Sequence, residues 1–460
     1  MPPSLSKVTT FALRGCRHSL FSAAKCTNIS RQFGTIIDKI DNIVKRGRAS
    51  ECEIPRQSDV VIIGGGLVGS AAAFWLKQKT GPGEISVTVL ERDLQYTRAS
   101  STLSVGGIRQ QFSSEENILM SLFSADFFEN IKEHLCVYDS DQDPPDLQFN
   151  QNGYLILAAD QKAAVSLEEA NKTQISCGAK VKLMAPSLMK EKFPWLKTDD
   201  LFLGSFGLEN EGWFDPWLLL DALRKRNRSL GVAYVQAEVV GFDTSPGSVD
   251  HVMVKNMYGE VKEIQFVHCV NAAGPWAGEV NKMLGGSFPL PVEPRKRYVY
   301  VFHCPNGPGV DCPLLVDPKG VYFRREGLGG NYICGGSPTE EEEPDIATLE
   351  VDYSFFNQKL WPILANRVPA FENIKVKNAW AGYYDYNYVD QNLIIGKHPE
   401  FPQMIFANGS SGHGVQHAIP IGLAVSELIL ENGYETIDLS SLSYERFCTE
   451  GGSKKEKNVY

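Results

Sequence analysis

The chain has 460 residues, of which 43% are hydrophobic and 22% charged, and its formal net charge is −10. That length can bury a large core and suggests two or three domains. A chain this acidic lacks the basic footprint of a protein whose main partner is nucleic acid, so we expect no nucleic-acid partner. Its ten cysteines form no Cys-x-x-Cys pair and its eight histidines are dispersed, so we expect reduced thiols and no metal site.

Residues 1–37 differ in composition from the rest of the chain. They contain no Asp or Glu, but they include Lys and Arg among many Ser and Thr residues. This composition is typical of a mitochondrial transit peptide, and a disordered basic tail is the competing interpretation. We therefore predict mitochondrial import, with residues 38–57 as a linker to the first strand.

Three glycines, Gly64, Gly66 and Gly69, fill a G-x-G-x-x-G pattern between an apolar strand and a small-residue helix, and a second strand ends at Glu91. The glycines allow a tight turn, the approach of a pyrophosphate and close packing of the helix on the strand. The helix N-terminus offers N–H groups to phosphates, and the acid accepts from a ribose hydroxyl. The pattern predicts a dinucleotide site, with an α/β crossover lacking a ligand as the competing interpretation. Further predicted contacts of this unit are Leu67, Val68 and Arg92.

Hydrophobic periodicity predicts the elements that follow this unit. We expect helices at 115–135, 161–178, 214–225, 349–366 and 418–431. We expect strands at 153–158, 181–184, 232–240, 266–272, 376–382, 392–395 and 404–407, with others within 297–335. Asp215 is placed to cap the third helix and Pro216 to begin it. The final ten residues are polar and are expected to be disordered.

Nucleotide-binding features lie at both ends of the chain, with strand-rich sequence between them. This order predicts an α/β fold (α+β overall), in which an inserted antiparallel-sheet substrate domain interrupts a Rossmann-like cofactor domain. A ligand is expected where the two domains meet. The cofactor domain is predicted to comprise 58–117, 208–290 and 375–440, the substrate domain 118–207 and 291–374, and a tail 441–460.

Several segments together resemble the D-amino-acid-oxidase-type family of FAD-dependent flavoproteins, which includes enzymes that oxidise sarcosine, dimethylglycine and glycine. They are the Gly64 motif with Glu91, Ser100-Ser101 with 106–109, 270–277, 322–327 and 409–414. The resemblance implies FAD as cofactor, extended from the Gly64 loop to the glycines near the carboxyl terminus. The contacts that it implies are Ser100, Ser101, Arg109, Val239, Ala273, Gly274, Ser411, Gly412, His413 and Gly414.

Simpler interpretations compete with several of these cofactor contacts. A polar loop accounts for the segment at Ser100, Ser101 and Arg109, a core strand end accounts for Gly274, and a hydrogen-bonded loop residue accounts for His413. The segment after Ser100 lacks the His, and the stretch 380–390 lacks the Cys, that carries covalent flavin in relatives. We therefore predict that FAD is bound non-covalently.

The resemblance implies transfer of hydride from a carbon next to an amine to the flavin. Arg324 matches the family position that grips a substrate carboxylate, for which the planar guanidinium is well suited. Lys296 is predicted near the flavin, and Tyr384 is predicted to wall the substrate site together with Tyr383 and Tyr386. Each of these assignments has a competing interpretation. Arg324 could be a solvated arginine on a surface strand, Lys296 could belong to a solvated basic stretch, and the tyrosines could serve ordinary aromatic packing.

Two further features bear on substrate and partners. Gln416 stands where sarcosine oxidases carry a carboxylate-binding Lys, which removes one charge from the predicted site. The segments 104–113, 211–217, 291–301 and 379–387 resemble a narrower mitochondrial group implicated in assembly of respiratory complex I at the inner membrane.

This narrower resemblance implies complex I subunits or assembly intermediates as partners, and a place in the matrix or, through peripheral association, at the matrix face of the inner membrane. The substrate that the wider family implies is a small amino acid or N-methyl amine. The alternative function is a catalytically silent assembly factor whose FAD stabilises the fold. A pyridine-nucleotide disulfide reductase is disfavoured, because the sequence has neither a redox Cys pair nor a second G-x-G-x-x-G.

Overall fold

The computed structural model describes residues 53–137, 145–448, 452–453 and 455–457. The predicted transit peptide and most of the linker lie outside these described residues. The chain from Ile54 onward forms one compact unit. Within the described residues no helix has both the length and the apolar character needed to cross a membrane. The cysteines among them, seven in number, are all free thiols.

The strands of the described residues alternate with helices in the first part of the chain and dominate its middle. The strands are β1 Gln57–Ile63, β2 Val87–Glu91, β3 Gly107–Ile108, β4 Tyr154–Ala158, β5 Val181–Met184, β6 Leu203–Gly207, β7 Gly212–Trp213, β8 Ala233–Ser245, β9 Ser248–Asn256, β10 Val261–Asn271, β11 Val292–His303, β12 Leu314–Val316, β13 Tyr322–Glu326, β14 Asn331–Gly335, β15 Lys375–Asn387, β16 Ile394–Lys397 and β17 Met404–Asn408. The α-helices are α1 Leu67–Lys79, α2 Glu115–Glu129, α3 Ile131–Leu135, α4 Gln161–Ser176, α5 Pro186–Lys192, α6 Pro216–Ser229, α7 Ala277–Lys282, α8 Tyr353–Phe355, α9 Trp361–Arg367 and α10 Gly414–Leu430.

A seven-stranded sheet carries the Gly-rich turn. Its strand β1 lies between β2 and β10 and is parallel to both, and β17 extends the parallel set beyond β10. Helices α1 and α10 lie against each other, because Gly422 of α10 presents no side chain to α1. A Cβ on Gly422 would come within 2.4 Å of the Ala71 backbone. The amino-terminal and carboxy-terminal helices are thereby packed side by side, which brings their preceding loops to the same part of the molecule.

The second sheet has eight strands in the order β15-β11-β14-β13-β12-β4-β6-β5, antiparallel except for the pair β4 and β12. Strand β15 pairs along its whole length with β11. Residues 375–387, which we assigned to the cofactor domain, therefore belong to this second sheet. Their long hydrogen-bonded partner, β11, comes from the predicted substrate domain. The remaining domain boundaries stay predictions.

Three predicted helices begin at another residue or are divided in the structure. The helix expected at 115–135 is divided at Asn130 into α2 and α3, and the one expected at 418–431 begins earlier, at Gly414. The helix expected from residue 349 begins only at Tyr353, where the Asp352 side chain caps it by accepting from the Ser354 N–H. Asp215 caps α6 as predicted, accepting from the Trp217 and Leu218 N–H groups.

The carboxy-terminal tail corrects another expectation, since its described part is ordered against the body. The Glu456 side chain is 1% exposed. Its carboxylate accepts hydrogen bonds from the Ser113 N–H at 2.8 Å and from the Asn117 amide at 3.0 Å. A carboxylate at the first turn of α2 satisfies free N–H groups and complements the helix dipole. Polar composition alone did not reveal this long-range contact.

Candidate functional site

The Gly64 loop brings two segments of backbone into close contact. Gly64 has φ +102°, and a Cβ there would come within 2.3 Å of the Ala272 carbonyl oxygen at the end of β10. A Cβ on Gly69 would come within 2.0 Å of the Gly64 carbonyl oxygen. Only glycine fits at both places, so strand, turn and helix meet as the sequence pattern predicts.

Two side chains accept hydrogen bonds from backbone N–H groups of this loop and of the start of α1. Ser101 Oγ accepts from the Leu67 N–H at 3.0 Å, and the Glu91 carboxylate accepts from the Gly65 N–H at 2.9 Å. Burial raises the pKa of Glu91, although the N–H groups of Gly65 and Asp93 oppose that shift. The α1 N-terminus lines the cavity with its positive dipole end, which favours an anionic group.

A cavity of about 790 Å³ joins this loop to the loop that precedes α10. Of the predicted cofactor residues, all but Gly69 line it; Gly69 instead packs the turn behind the wall. The residues brought together are Gly64, Gly66, Leu67, Val68, Glu91, Arg92, Ser100, Ser101, Arg109, Val239, Ala273, Gly274, Ser411, Gly412, His413 and Gly414. The two loops are about 350 residues apart in sequence. The packing of α1 on α10 and the parallel order β1-β10-β17 bring them together.

Buried polar atoms along this cavity lack partners within the described residues. They include Ser100 Oγ and both ring nitrogens of His413. Gly274 has φ +54°, and a Cβ there would enter open space. Buried polar groups are normally hydrogen-bonded, so these atoms indicate a polar ligand in the cavity. The glycine surfaces and the helix N-terminus fit a diphosphate.

The far end of the cavity is built around Gly412. It has φ +106°, and a Cβ there would come within 2.5 Å of the Tyr384 ring. Burial, together with the positive charge of Arg109, lowers the pKa of His413 to about 3, so this imidazole is neutral at physiological pH. The first turn of α10 follows directly, and the Gln416 side chain accepts from the Arg109 N–H at 2.8 Å.

Of the residues predicted to act on a substrate, Tyr384 lines the cavity and Arg324 and Lys296 do not. Arg324 lies behind the wall, where its Nε donates to the Val105 carbonyl at 3.0 Å and Nη1 donates to the Arg325 carbonyl at 2.9 Å. Lys296 projects from β11 away from the cavity and donates to the Thr348 carbonyl at 3.0 Å. The structure therefore corrects the expectation that Lys296 lies at the redox end.

Several cavity residues were not predicted as site residues. Arg297 follows Lys296 on β11 and lines the cavity, as do Tyr322 and Trp276. The Arg92 guanidinium lies 3.5 Å from the centre of the Trp276 ring, a cation–π contact. The alternation of side chains along a strand puts neighbours on opposite faces, so either Lys296 or Arg297 had to face the site. The sequence did not show which of the two faces was internal.

The two large sheets and the cavity with its glycine loop define the class of FAD-binding oxidoreductases. The sequence comparison agrees with this class. Residues 59–428 match the family described as "DAO: FAD dependent oxidoreductase", and the chain belongs to that family. The chain is 52% identical over 422 residues to a Xenopus laevis protein named FAD-dependent oxidoreductase domain-containing protein 1, covering 86% of this chain and 84% of that protein.

More distant relatives carry names that state a reaction. A mitochondrial dimethylglycine dehydrogenase from Rattus norvegicus is 25% identical over 414 residues, covering 85% of this chain and 45% of that protein. The crystal structure of an L-proline dehydrogenase from P. horikoshii aligns with a TM-score of 0.74 and 26% identity, covering 87% of this chain and 100% of that one. The predicted cofactor is thereby confirmed as FAD, and the fold class is confirmed as well.

Proposed function

We propose that this protein oxidises a small amino acid or N-methyl amine at a C–H bond next to nitrogen, in mitochondria. The observation that carries this proposal is one continuous cavity that extends from the Gly64 loop to Arg297, Tyr322 and Tyr384. When bound, FAD supplies the two-electron acceptor for such an oxidation. The name of the dimethylglycine dehydrogenase relative supports the same reaction class.

The chain's own residues divide into two tasks in this proposal. The Gly64 loop and the α1 N-terminus would hold the diphosphate, Glu91 would hold the ribose, and Ser100 Oγ would gain a hydrogen-bond partner from the cofactor. At the other end, the N-terminus of α10 presents its positive dipole end beside Gly412 and would favour negative charge there.

Three side chains that line the cavity near the proposed substrate position are uncharged at neutral pH. Burial raises the pKa of Tyr322 and of Tyr384, so both phenols stay protonated at neutral pH. The low pKa of His413 keeps that side chain uncharged as well. These groups can orient a substrate by hydrogen bonds and by shape, and they keep water from the reacting carbon without themselves removing a proton.

Substrate turnover is tested by anaerobic reduction of the FAD-loaded protein with a panel of N-methyl amino acids and N-methyl amines. Bleaching of the flavin absorption by at least one compound is expected. Retention of the full yellow absorption with every compound would contradict the proposal. Precipitation with acid is expected to release the flavin into the supernatant, because we propose that FAD is bound non-covalently.

We also propose that the protein is needed for assembly or stability of respiratory complex I, with complex I subunits or assembly intermediates as partners. The support is the narrower sequence resemblance and the acid-free composition of residues 1–37. In cells depleted of the protein, the amount of assembled complex I on native gels is expected to fall and to recover with the full chain. Removal of residues 1–37 is expected to abolish both recovery and mitochondrial import.

A catalytically silent, FAD-stabilised assembly factor is the second candidate, and Gln416 favours it. This side chain is uncharged, and its oxygen already accepts from the Arg109 N–H, so it supplies no cation for a substrate. A ligand that binds only the folded state raises stability without any turnover. Recovery of complex I by a protein whose flavin no compound reduces would establish this second function.

A further inference from the structure

We infer that Arg297 is the carboxylate-binding residue of the substrate site, and that the substrate is a small amino acid rather than a simple N-methyl amine. This inference rests on the proposed function and selects between its two substrate classes. It also moves carboxylate recognition from Arg324, the residue that the sequence favoured, to the residue that the cavity exposes.

The hydrogen bonds of Arg297 leave the Nε edge of its guanidinium without a hydrogen-bond partner among the described residues. The Glu343 carboxylate accepts from Nη1 at 2.8 Å and from Nη2 at 2.9 Å, and the Lys296 carbonyl accepts from Nη1 at 2.8 Å. The Nε–H is buried and has no partner within the described residues. A guanidinium can bind one carboxylate end-on through Nη1 and Nη2 and another side-on through Nε and Nη2. Glu343 holds the first edge, and the second edge is the one with the orphaned donor.

Arg297 itself lines the proposed redox end of the cavity. Its guanidinium carbon lies 5.4 Å from the centre of the Tyr384 ring, and that ring in turn packs against Gly412. The Arg297 side chain is 9% exposed, so a charge-assisted hydrogen bond there is shielded from water. Glu343 positions the guanidinium, because its two hydrogen bonds fix the plane in which the unpaired Nε–H lies.

The other arginines near this end are engaged elsewhere. Arg109 also lines the cavity, but its Nη1 donates to the Gln111 carbonyl at 2.6 Å and its guanidinium carbon lies 4.0 Å from the centre of the Phe112 ring. Arg324 does not line the cavity. Its N–H groups donate to the backbone carbonyls of Val105 and Arg325 and to the Glu326 carboxylate. Arg295 lies two residues before Arg297 and pairs with Glu293, Glu340 and Glu343 outside the cavity. A simple amine would leave the Nε–H of Arg297 unsatisfied, whereas a carboxylate would satisfy it.

The test is a titration of the FAD-loaded protein with propionate and with its neutral analogue propionamide, followed by the flavin absorption spectrum and by the melting temperature. Propionate is expected to perturb both signals and propionamide to bind at least about tenfold more weakly. R297Q is expected to weaken propionate binding at least about tenfold. R297K, which keeps the charge but not the side-on pair of donors, is expected to give an intermediate loss.

The matched control is R295Q, which removes the neighbouring charge outside the cavity and is expected to change propionate binding by less than about threefold. Equal binding of propionate to wild type and R297Q, or of propionate and propionamide to wild type, would overturn the inference. Loss of binding in R324Q with none in R297Q or R297K would also overturn it. If wild-type protein retains FAD but does not bind propionate, this inference alone is refuted. If wild-type protein fails to bind FAD, the proposed function is refuted.

Discussion

The two ends of the cavity are built in different ways. At the Gly64 end the lining includes the backbone of one continuous stretch of strand, turn and helix. At the Gly412 end the lining includes the side chains of Arg297, Tyr322 and Tyr384, which come from separate strands of the eight-stranded sheet. A site built from backbone can be predicted from a local pattern of glycines. A site built from side chains depends on the register of strands that are distant in sequence.

The largest effect is expected at the backbone end, for Gly64→Ala. Its Cβ would clash with the Ala272 carbonyl, and φ is +102°. We expect purified protein with no measurable FAD and a lower melting temperature, measured by flavin absorbance per chain and by calorimetry. Gly83→Ala is the control, because Gly83 has φ +81° but open space around it. Normal FAD content in G64A would show that this end does not depend on close backbone approach.

Glu211, whose buried carboxyl group accepts from the Gln110 N–H and the Gln111 amide behind the cavity lining, is expected to make stability depend on pH. Burial raises its pKa from 4.5 to about 7. The folded chain therefore holds a proton that the unfolded chain loses as the pH rises from about 4.5 to about 7. Stability is expected to fall over that window by about 3 kcal/mol relative to Glu211→Gln, which has no such proton.

Denaturant unfolding of wild type and E211Q at a series of pH values measures this difference. Buried histidines act in the opposite direction, since the lowered pKa of His413 destabilises the fold as the pH falls from 6.5 towards 3. They are present in both proteins, so their effect cancels in the comparison. Parallel pH profiles for the two proteins would refute the role given to Glu211.

A smaller effect is expected for Glu456, whose carboxylate reaches the start of α2 from the far end of the chain. Glu456→Ala leaves the Ser113 N–H and the Asn117 amide without their acceptor, and we expect a loss of about 1–2 kcal/mol in unfolding free energy. The exposed Lys455→Ala is the control and is expected to change stability by less than about 0.5 kcal/mol. A similar change in both variants would show that the tail contributes nothing specific.

The smallest effects are expected for two adjacent serines near the Gly64 loop, and the two substitutions are expected to change different properties. Ser101→Ala is expected to lower stability by about 1 kcal/mol, because the Leu67 N–H loses its acceptor. Ser100→Ala removes a hydroxyl that has no hydrogen-bond partner in the part of the chain that the structure describes, so we expect unchanged stability without FAD and weaker FAD binding. Fluorescence titration with FAD measures the second effect. Equal FAD affinity in S100A and wild type would show that Ser100 has no contact with the cofactor.

Sequence-based prediction was successful where the physical requirement is local. The tight turn at Gly64, the close packing at Gly69 and the cap at Asp215 each depend on nearby residues, and each is found as predicted. It was less successful at helix starts. Residues 349–352 lack helical structure although their pattern continues into a helix, and α10 begins among glycines that suggested only a loop.

The sequence by itself therefore determined the family, the cofactor and the glycine loop that approaches it, because those features rest on short-range backbone geometry. The tertiary structure decided that Arg297 and not Lys296 faces the cavity, since one residue of strand register exchanges the two faces. It also decided that Arg324 is held behind the wall and that Glu456 is buried against α2. Both depend on segments that are distant in sequence and are brought together only by packing.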